Sequence, residues 1–234
     1  SELLKKSYII NVYSYINFLE SVKKYSKDTR VFYACSSHIY GEPETHIQDE
    51  SSKYSPLSVY AITKLDSLLL SRYYRHNHSI FSSVGILYNH ESPLRSEKFV
   101  SQKIVKRAVE IKCGISNELI IGNINAVLDW GYAGDYVEAM FKILNFHTPK
   151  DFVIASGRKS ILREYISIVF KYLELDWKDY VKEDSSILKN VSHNTLCGDS
   201  SKLKDATGWT ANHTLQEIAE IMVEAELAKQ KVDN

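Results

Sequence analysis

RVFYACSSHIYG, residues 30–41, is the stretch on which the fold turns. Residues 30–35 are apolar at the centre without alternation, the pattern of a short strand buried on both faces of a parallel sheet. The next residues turn polar and end on Gly41, so the strand is expected to stop there. On the upstream side, residues 2–26 predict a long amphipathic helix with Ile9, Tyr13, Ile16, Leu19 and Val22 on one face. Downstream, Pro56 and Ser58 open a helix expected over 58–76. SIFSSVGIL (79–87) reads as the next strand and YNHESPLR (88–95) as a loop. Helices are expected over 97–112, 134–146, 161–173 and 214–230, with strands at 118–122 and 151–156. This alternation, with short connections, predicts an α/β fold with a mainly parallel sheet.

Composition narrows the possibilities. The 234 residues are 44% hydrophobic and 25% charged, enough apolar content for a real core and against disorder. Lys and Arg number 29 against 29 Asp and Glu, which gives no basic footprint for nucleic acid. Cys35, Cys113 and Cys197 are too dispersed for a disulfide framework or a zinc site and fit a reducing, cytoplasmic setting. No apolar run approaches the roughly 18 residues that would span a bilayer, so no membrane partner is expected. The eight histidines show no metal-ligand spacing; His76 and His78 read as a solvated helix end.

Only nine glycines occur, and no two are closer than three residues. Neither G-x-G-x-x-G nor G-x-x-x-x-G-K can therefore be written anywhere in these residues. The chain also opens inside a helix with no strand before it. The strand at 30–35 is then expected to present a raw edge that upstream sequence or a partner covers.

The chemistry sits in the middle. Ser36-Ser37-His38-Ile39-Tyr40-Gly41 follows the first strand, Tyr60-x-x-x-Lys64 lies on the next helix, and Asn89-His90-Glu91 follows the next strand. With 16 tyrosines present, a Tyr-x-x-x-Lys spacing is weak by itself, and the plain alternative is a packed tyrosine and a solvated lysine. Placement strengthens it. Spacing i, i+4 puts both side chains on one helix face, and ligands of open α/β sheets bind at the carboxyl ends of strands. A tyrosine of ordinary pKa about 10 becomes a usable base when a lysine ammonium favours its phenolate. With Ser36 bonding the same hydroxyl, the trio suits proton removal from an alcohol as hydride leaves its carbon.

These stretches carry a resemblance. FYACSSHIYGEPE (32–44), SPLSVYAITK (55–64), GILYNHESPLRSEKFVSQKI (85–104), GNINAVLDWGYAGDYV (122–137) and DFVIASG (151–157) are similar to the GDP-mannose 4,6-dehydratase family of extended short-chain dehydrogenase/reductases. NHESP and the two later stretches are the specific ones, and the likeness runs from about residue 3 to 209. It implies an incomplete NAD(P)-binding Rossmann-type parallel sheet over residues 1–90, whose first βα units are absent. Residues 91–234 would be mostly a small C-terminal α/β substrate-binding region, with 118–156 returning in part to the sheet.

The resemblance further implies NADP and a GDP-sugar: oxidation at C4, loss of water across C5–C6, and return of hydride to C6. Tyr60 would be the base, Lys64 its electrostatic partner, and Ser36 the hydroxyl beside them. Tyr60, Lys64, Leu87, Asn89, His90 and Arg95 would meet the cofactor; Asn89, Lys103 and Lys189 would meet the sugar diphosphate. A homo-oligomer, or pairing with a full-length family member through the first helix and the Tyr60 helix, is expected.

Three positions depart from the family pattern. His38 stands where the dehydratases have the glutamate that removes the C5 proton; a histidine of pKa near 6.5 has the chemistry for the same task. Leu128 stands where an arginine would grip the diphosphate in bidentate fashion. Residues 189–192 replace R-P-x-E. The reductases and epimerases of the superfamily also lack the glutamate. Three readings follow: a dehydratase, a nucleotide-sugar 4-reductase or epimerase, and a truncated non-catalytic paralogue that partners a full-length dehydratase.

Overall fold

The computed structural model describes residues 2–187 and 197–232. In chain order the helices are α1 (Glu2–Tyr8), α2 (Ser14–Tyr25), α3 (Val59–His78), α4 (Val100–Lys112), α5 (Ala133–Asn145), α6 (Leu162–Tyr172), α7 (Ser201–Thr207) and α8 (Leu215–Val232). The strands are β1 (Val31–Ser36), β2 (Ser82–Leu87), β3 (Asn89–Glu91), β4 (Leu119–Ile121), β5 (Val127–Tyr132), β6 (Asp151–Ile154), β7 (Lys159–Ile161) and β8 (Val181–Glu183). The chain divides into two compact units, each discontinuous in sequence. The first takes Ser1–Tyr88, Tyr136–Gly157 and Leu196–Thr210, and the second takes Asn89–Asp135, Arg158–Thr195 and Ala211–Asn234.

The first unit is built on a parallel sheet of order β1-β2-β6. All six residues of β2 are buried, which is why that segment carries no polar alternation. Val31, Tyr33, Cys35, Val84, Ile86 and Val153 share a core with Tyr15, Leu19 and Val22 of α2 and Leu68 and Tyr74 of α3. Residues 197–199 return to this unit through Gln48. Its backbone N–H donates to the Cys197 carbonyl (2.9 Å), its carbonyl accepts from the Asp199 N–H (2.8 Å), and its side-chain oxygen accepts from the Tyr88 hydroxyl (2.9 Å).

The second unit has β3 parallel to β5, β5 antiparallel to β7, and β4 parallel to β8. Helices α4, α6 and α8 close a core around Ile104, Val109, Trp130, Tyr165, Phe170 and Met222, with Trp130 edge-on to Tyr165. Among the described residues no helix is long and apolar enough to cross a membrane, and no cluster of His, Cys, Asp or Glu is arranged to hold a metal ion.

The structure corrects two sequence expectations. The first helix is interrupted by a π-helical turn over Ile9–Tyr13. The extra residue in that turn rotates everything upstream relative to α2. Val12, Tyr15, Leu19 and Val22 therefore face inward, while Ile9 and Tyr13 are more than half exposed. Residues 89–91, expected in a loop, form β3 because Trp130–Tyr132 offer them a partner.

Gly41 shows how tightly the turn after β1 is made. It closes the 3-10 turn over Ser37–Tyr40 with φ of 59°, a left-handed conformation that favours glycine. A Cβ at this position would lie 1.7 Å from the Ser55 carbonyl oxygen. Strain and backbone collision together lead us to expect Gly41→Ala to lose about 3 kcal/mol of stability. Urea unfolding of the two proteins measures it; an unchanged midpoint would contradict the close approach.

Candidate active site

The register of the first sheet places the carboxyl ends of its strands level. Ser36 pairs with Leu87 across β1 and β2, and Leu87 pairs with Ile154 across β2 and β6. Ser36 is buried, and its Oγ accepts the His38 backbone N–H at 3.3 Å, capping the 3-10 turn that carries His38. A serine at the end of a strand so starts a turn that aims the histidine away from the sheet.

Helix α3 delivers the other two side chains. Its N-cap, Ser58, accepts the Ala61 N–H at 3.1 Å and sets where the helix begins. Tyr60 therefore falls in the first turn and Lys64 one turn later on the same face. Tyr60 is 47% exposed, and its ring lies edge-on to the His38 ring with centroids 6.1 Å apart. The Lys64 Nζ donates to the Ala34 carbonyl of β1 at 2.8 Å and lies 5.7 Å from the centre of the Tyr60 ring and 5.1 Å from that of Tyr33. Partial burial lowers the Lys64 pKa from the ordinary lysine value. A cation held by a strand carbonyl beside a phenol is positioned to stabilise negative charge on that phenol.

The environment sorts the remaining groups. The Cys35 thiol is buried and pushed up to about 12, which removes it as a nucleophile. His38 is solvent-accessible, yet neighbouring protein displaces enough water to hold its pKa below the usual 6.5. Its imidazole is then neutral at pH 7 and able to accept a proton.

Four other expected site residues lie in the second unit. Asn89 and His90 sit on β3, opposite Trp130 and Gly131 of β5. The Arg95 Nε lies 3.3 Å from Oε2 of the buried Glu91, and its guanidinium stacks over the Phe99 ring at 3.6 Å. Glu91 also accepts the Ser101 hydroxyl, and burial pushes its pKa up. Lys103 donates its ammonium to the Ile120 carbonyl at 2.8 Å. Lys189 lies outside the described residues.

The sequence reading missed a polar cluster in this unit. Asp135 accepts the backbone N–H groups of Asn212 and His213 and meets His213 Nδ1 at 2.8 Å, while the His213 ring lies 4.4 Å from that of Tyr132. The partners are separated by 78 residues and share no local spacing that would reveal them.

The residues of the first unit fit the reactive end of a nicotinamide cofactor. The carboxyl edge of a parallel sheet presents the apolar Leu87 next to Ser36, with Tyr60 accessible and Lys64 beside it. Groups suited to its pyrophosphate are not visible in a glycine-rich loop, since these residues contain none.

Known proteins resemble this chain along most of its length. The family model described as GDP-mannose 4,6 dehydratase matches residues 5–222. GDP-mannose 4,6 dehydratase 2 of Arabidopsis thaliana is 36% identical over 216 residues, covering 91% of this chain and 58% of the relative. The GDP-mannose 4,6-dehydratase of Vibrio cholerae is 32% identical, covering 91% of this chain and 63% of the relative. The chain thus spans about three fifths of the length of these curated relatives. Among solved structures, RMD from Pseudomonas aeruginosa complexed with NADPH superposes with a TM-score of 0.87 at 21% identity, covering 94% of this chain and 74% of that one. The dTDP-glucose 4,6-dehydratase of Bacillus anthracis in complex with NAD gives 0.84 at 19%, covering 96% and 70%. At these identities the superpositions show the shared fold.

The depressed pKa of His38 has a consequence for stability. Between the folded value and 6.5 the unfolded chain binds a proton that the folded chain does not, so stability falls as pH drops through 6.5. The ring's exposure keeps the amplitude small. His38→Gln is expected to flatten that limb of the stability profile, and NMR titration of the His38 ring to give a midpoint below 6.5. A midpoint at or above 6.5 would show the ring to be fully hydrated.

Proposed function

The chain belongs to the GDP-mannose 4,6 dehydratase family, and we propose that it performs dehydratase chemistry on GDP-mannose or a related GDP-sugar, giving a 4-keto-6-deoxy sugar. The observation that carries this reading is the grouping of Ser36, His38, Tyr60 and Lys64 around the carboxyl edge of the first sheet.

Tyr60, Lys64 and Leu87 of the first unit would hold the reactive end of NADP, which would supply the hydride acceptor. The protein's own groups then manage protons. Tyr60 takes the proton of the C4 hydroxyl, and the Lys64 ammonium stabilises the charge this leaves on the phenol oxygen. Ser36 Oγ donates a hydrogen bond to the same sugar oxygen; the His38 N–H, which approaches from the backbone side, leaves its hydroxyl proton available. Once C4 is a ketone, the C5 hydrogen is acidic, and the neutral His38 imidazole accepts it and returns a proton to the departing C6 hydroxyl.

His38 in the glutamate position also supports a second reading, a 4-reductase or epimerase that never eliminates water. Product analysis separates the two. The intact native protein, given GDP-mannose and NADP, is expected to release a GDP-4-keto-6-deoxy sugar, and Tyr60→Phe to lower kcat at least ~100-fold. An unchanged C6 hydroxyl in the product supports the second reading. Absence of any turnover removes both and leaves the non-catalytic partner.

Exposed apolar side chains on α3 and the first helical stretch, including Ile9, Ile10, Tyr13, Phe18 and Tyr73, support association with a second family chain, either another copy or a full-length member. Light scattering of the purified protein is expected to give at least twice 26.9 kDa. A monomer at all concentrations would refute that association.

A further inference from the structure

The opposite, amino-terminal edge of the first sheet carries a second concentration of charge. Asp151 begins β6 and Ser82 begins β2. Around them opens a cavity of about 210 Å³ lined by Arg72, Arg75, His76, Lys150 and Lys202, with the carboxylates Glu50 and Asp151. Four permanent cations face two carboxylates.

The carboxylates are already engaged. Asp151 accepts Arg72 Nε at 2.6 Å and Arg75 Nη2 at 2.5 Å. Glu50 accepts the Val153 backbone N–H at 2.6 Å, and its burial favours the protonated form. Lys202 donates to the Asp151 backbone carbonyl at 2.8 Å, which returns no net charge. The Lys150 ammonium has no hydrogen bond or ion pair among the described residues; its company is the Phe146 ring, 5.5 Å away. Lys202 has the Glu50 carboxylate as an electrostatic neighbour, and Lys150 remains without a dedicated counter-charge. A concave surface with surplus positive charge is a site for an anion.

A second cavity of about 530 Å³ adjoins the first and shares Glu50, Lys150 and Lys202 with it. It adds Asp49, Asp199 and Asp205. The first two are turned to their own loops: Asp49 Oδ1 accepts from Ser51 and Ser52, and Asp199 Oδ1 from the Ser201 N–H. Asp205 has no hydrogen bond or ion pair among the described residues, and its carboxylate oxygens can accept hydrogen bonds from hydroxyl groups. One side of the paired cavities thus suits a doubly charged tetrahedral anion, and the other suits hydroxyl groups.

We propose that these two cavities form a binding site for a phosphorylated sugar, separate from the Ser36–Tyr60 site: the phosphate meets Arg72, Lys150 and Lys202, and the sugar hydroxyls meet Asp205. A site at the far edge of the same sheet is placed to act as a regulatory input, because β2 and β6 run from it to Leu87 and Ile154.

Calorimetric titration of the native protein tests this with glucose 6-phosphate, inorganic phosphate and glucose as probes. Glucose 6-phosphate is expected to bind more tightly than inorganic phosphate, and glucose not at all. Added salt should weaken both phosphates. Lys150→Glu, an exposed substitution that circular dichroism will show to be folded, should weaken both at least tenfold. Asp205→Asn should weaken only the sugar phosphate, and Tyr60→Phe neither. The proposal is overturned by an absence of saturation below about 10 mM, by equal affinity for the two phosphates, by binding that survives Lys150→Glu, or by binding lost in Tyr60→Phe.

Discussion

Everything in the first unit depends on three parallel strands held in register. Hydrogen bonding of β1 to β2 and of β2 to β6 forces Ser36, Leu87 and Ile154 to one level, and Asp151 and the start of β2 toward the other. The strand centres are wholly apolar, with Val84, Ile86 and Val153 fully buried. Polar chemistry is therefore expelled to the two edges, where the chain leaves the sheet and backbone groups need new partners. Ser36 and Lys64 satisfy that need at the carboxyl edge; Arg75, donating to the Ser82 carbonyl, and Lys202, donating to the Asp151 carbonyl, satisfy it at the amino edge.

Lys64 shows how one side chain is shaped by both demands. Its bond to the Ala34 carbonyl fastens α3 to β1, the outer strand of the β1-β2-β6 sheet among the described residues. The same bond fixes the ammonium beside Tyr60. Removing water from the lysine lowers its proton affinity, which opposes the positive charge that the tyrosine requires, so its burial stops at a partial degree. A fully buried lysine would tend to lose its proton, and a fully solvated one would be screened from the phenol.

The regular elements of the first unit were legible because burial writes itself into the residues. Apolar centres without polar alternation marked β1, β2 and β6, and Ser58 marked the start of α3. The grouping of Ser36, Tyr60 and Lys64 was legible because strand ends and helix turns impose short spacings. What escaped were features defined by a distant partner. The three-residue strands β3, β7 and β8 exist only through pairing. The Arg95–Glu91 contact depends on the burial of Glu91, which no local pattern announced. The Asp135–His213 contact closes over a separation that periodicity does not register.

The π-helical turn at Ile9–Tyr13 has a meaning of its own. A helix with one surplus residue carries two apolar stripes that are out of phase, one ending in the core at Val12 and Tyr15 and one ending in water at Ile9, Ile10 and Tyr13. The two stripes meet within the turn, where Val12 is buried and Tyr13 exposed. The turn acts as a phase shifter: it lets a single helix address the interior of its own unit with one half and the outside world with the other.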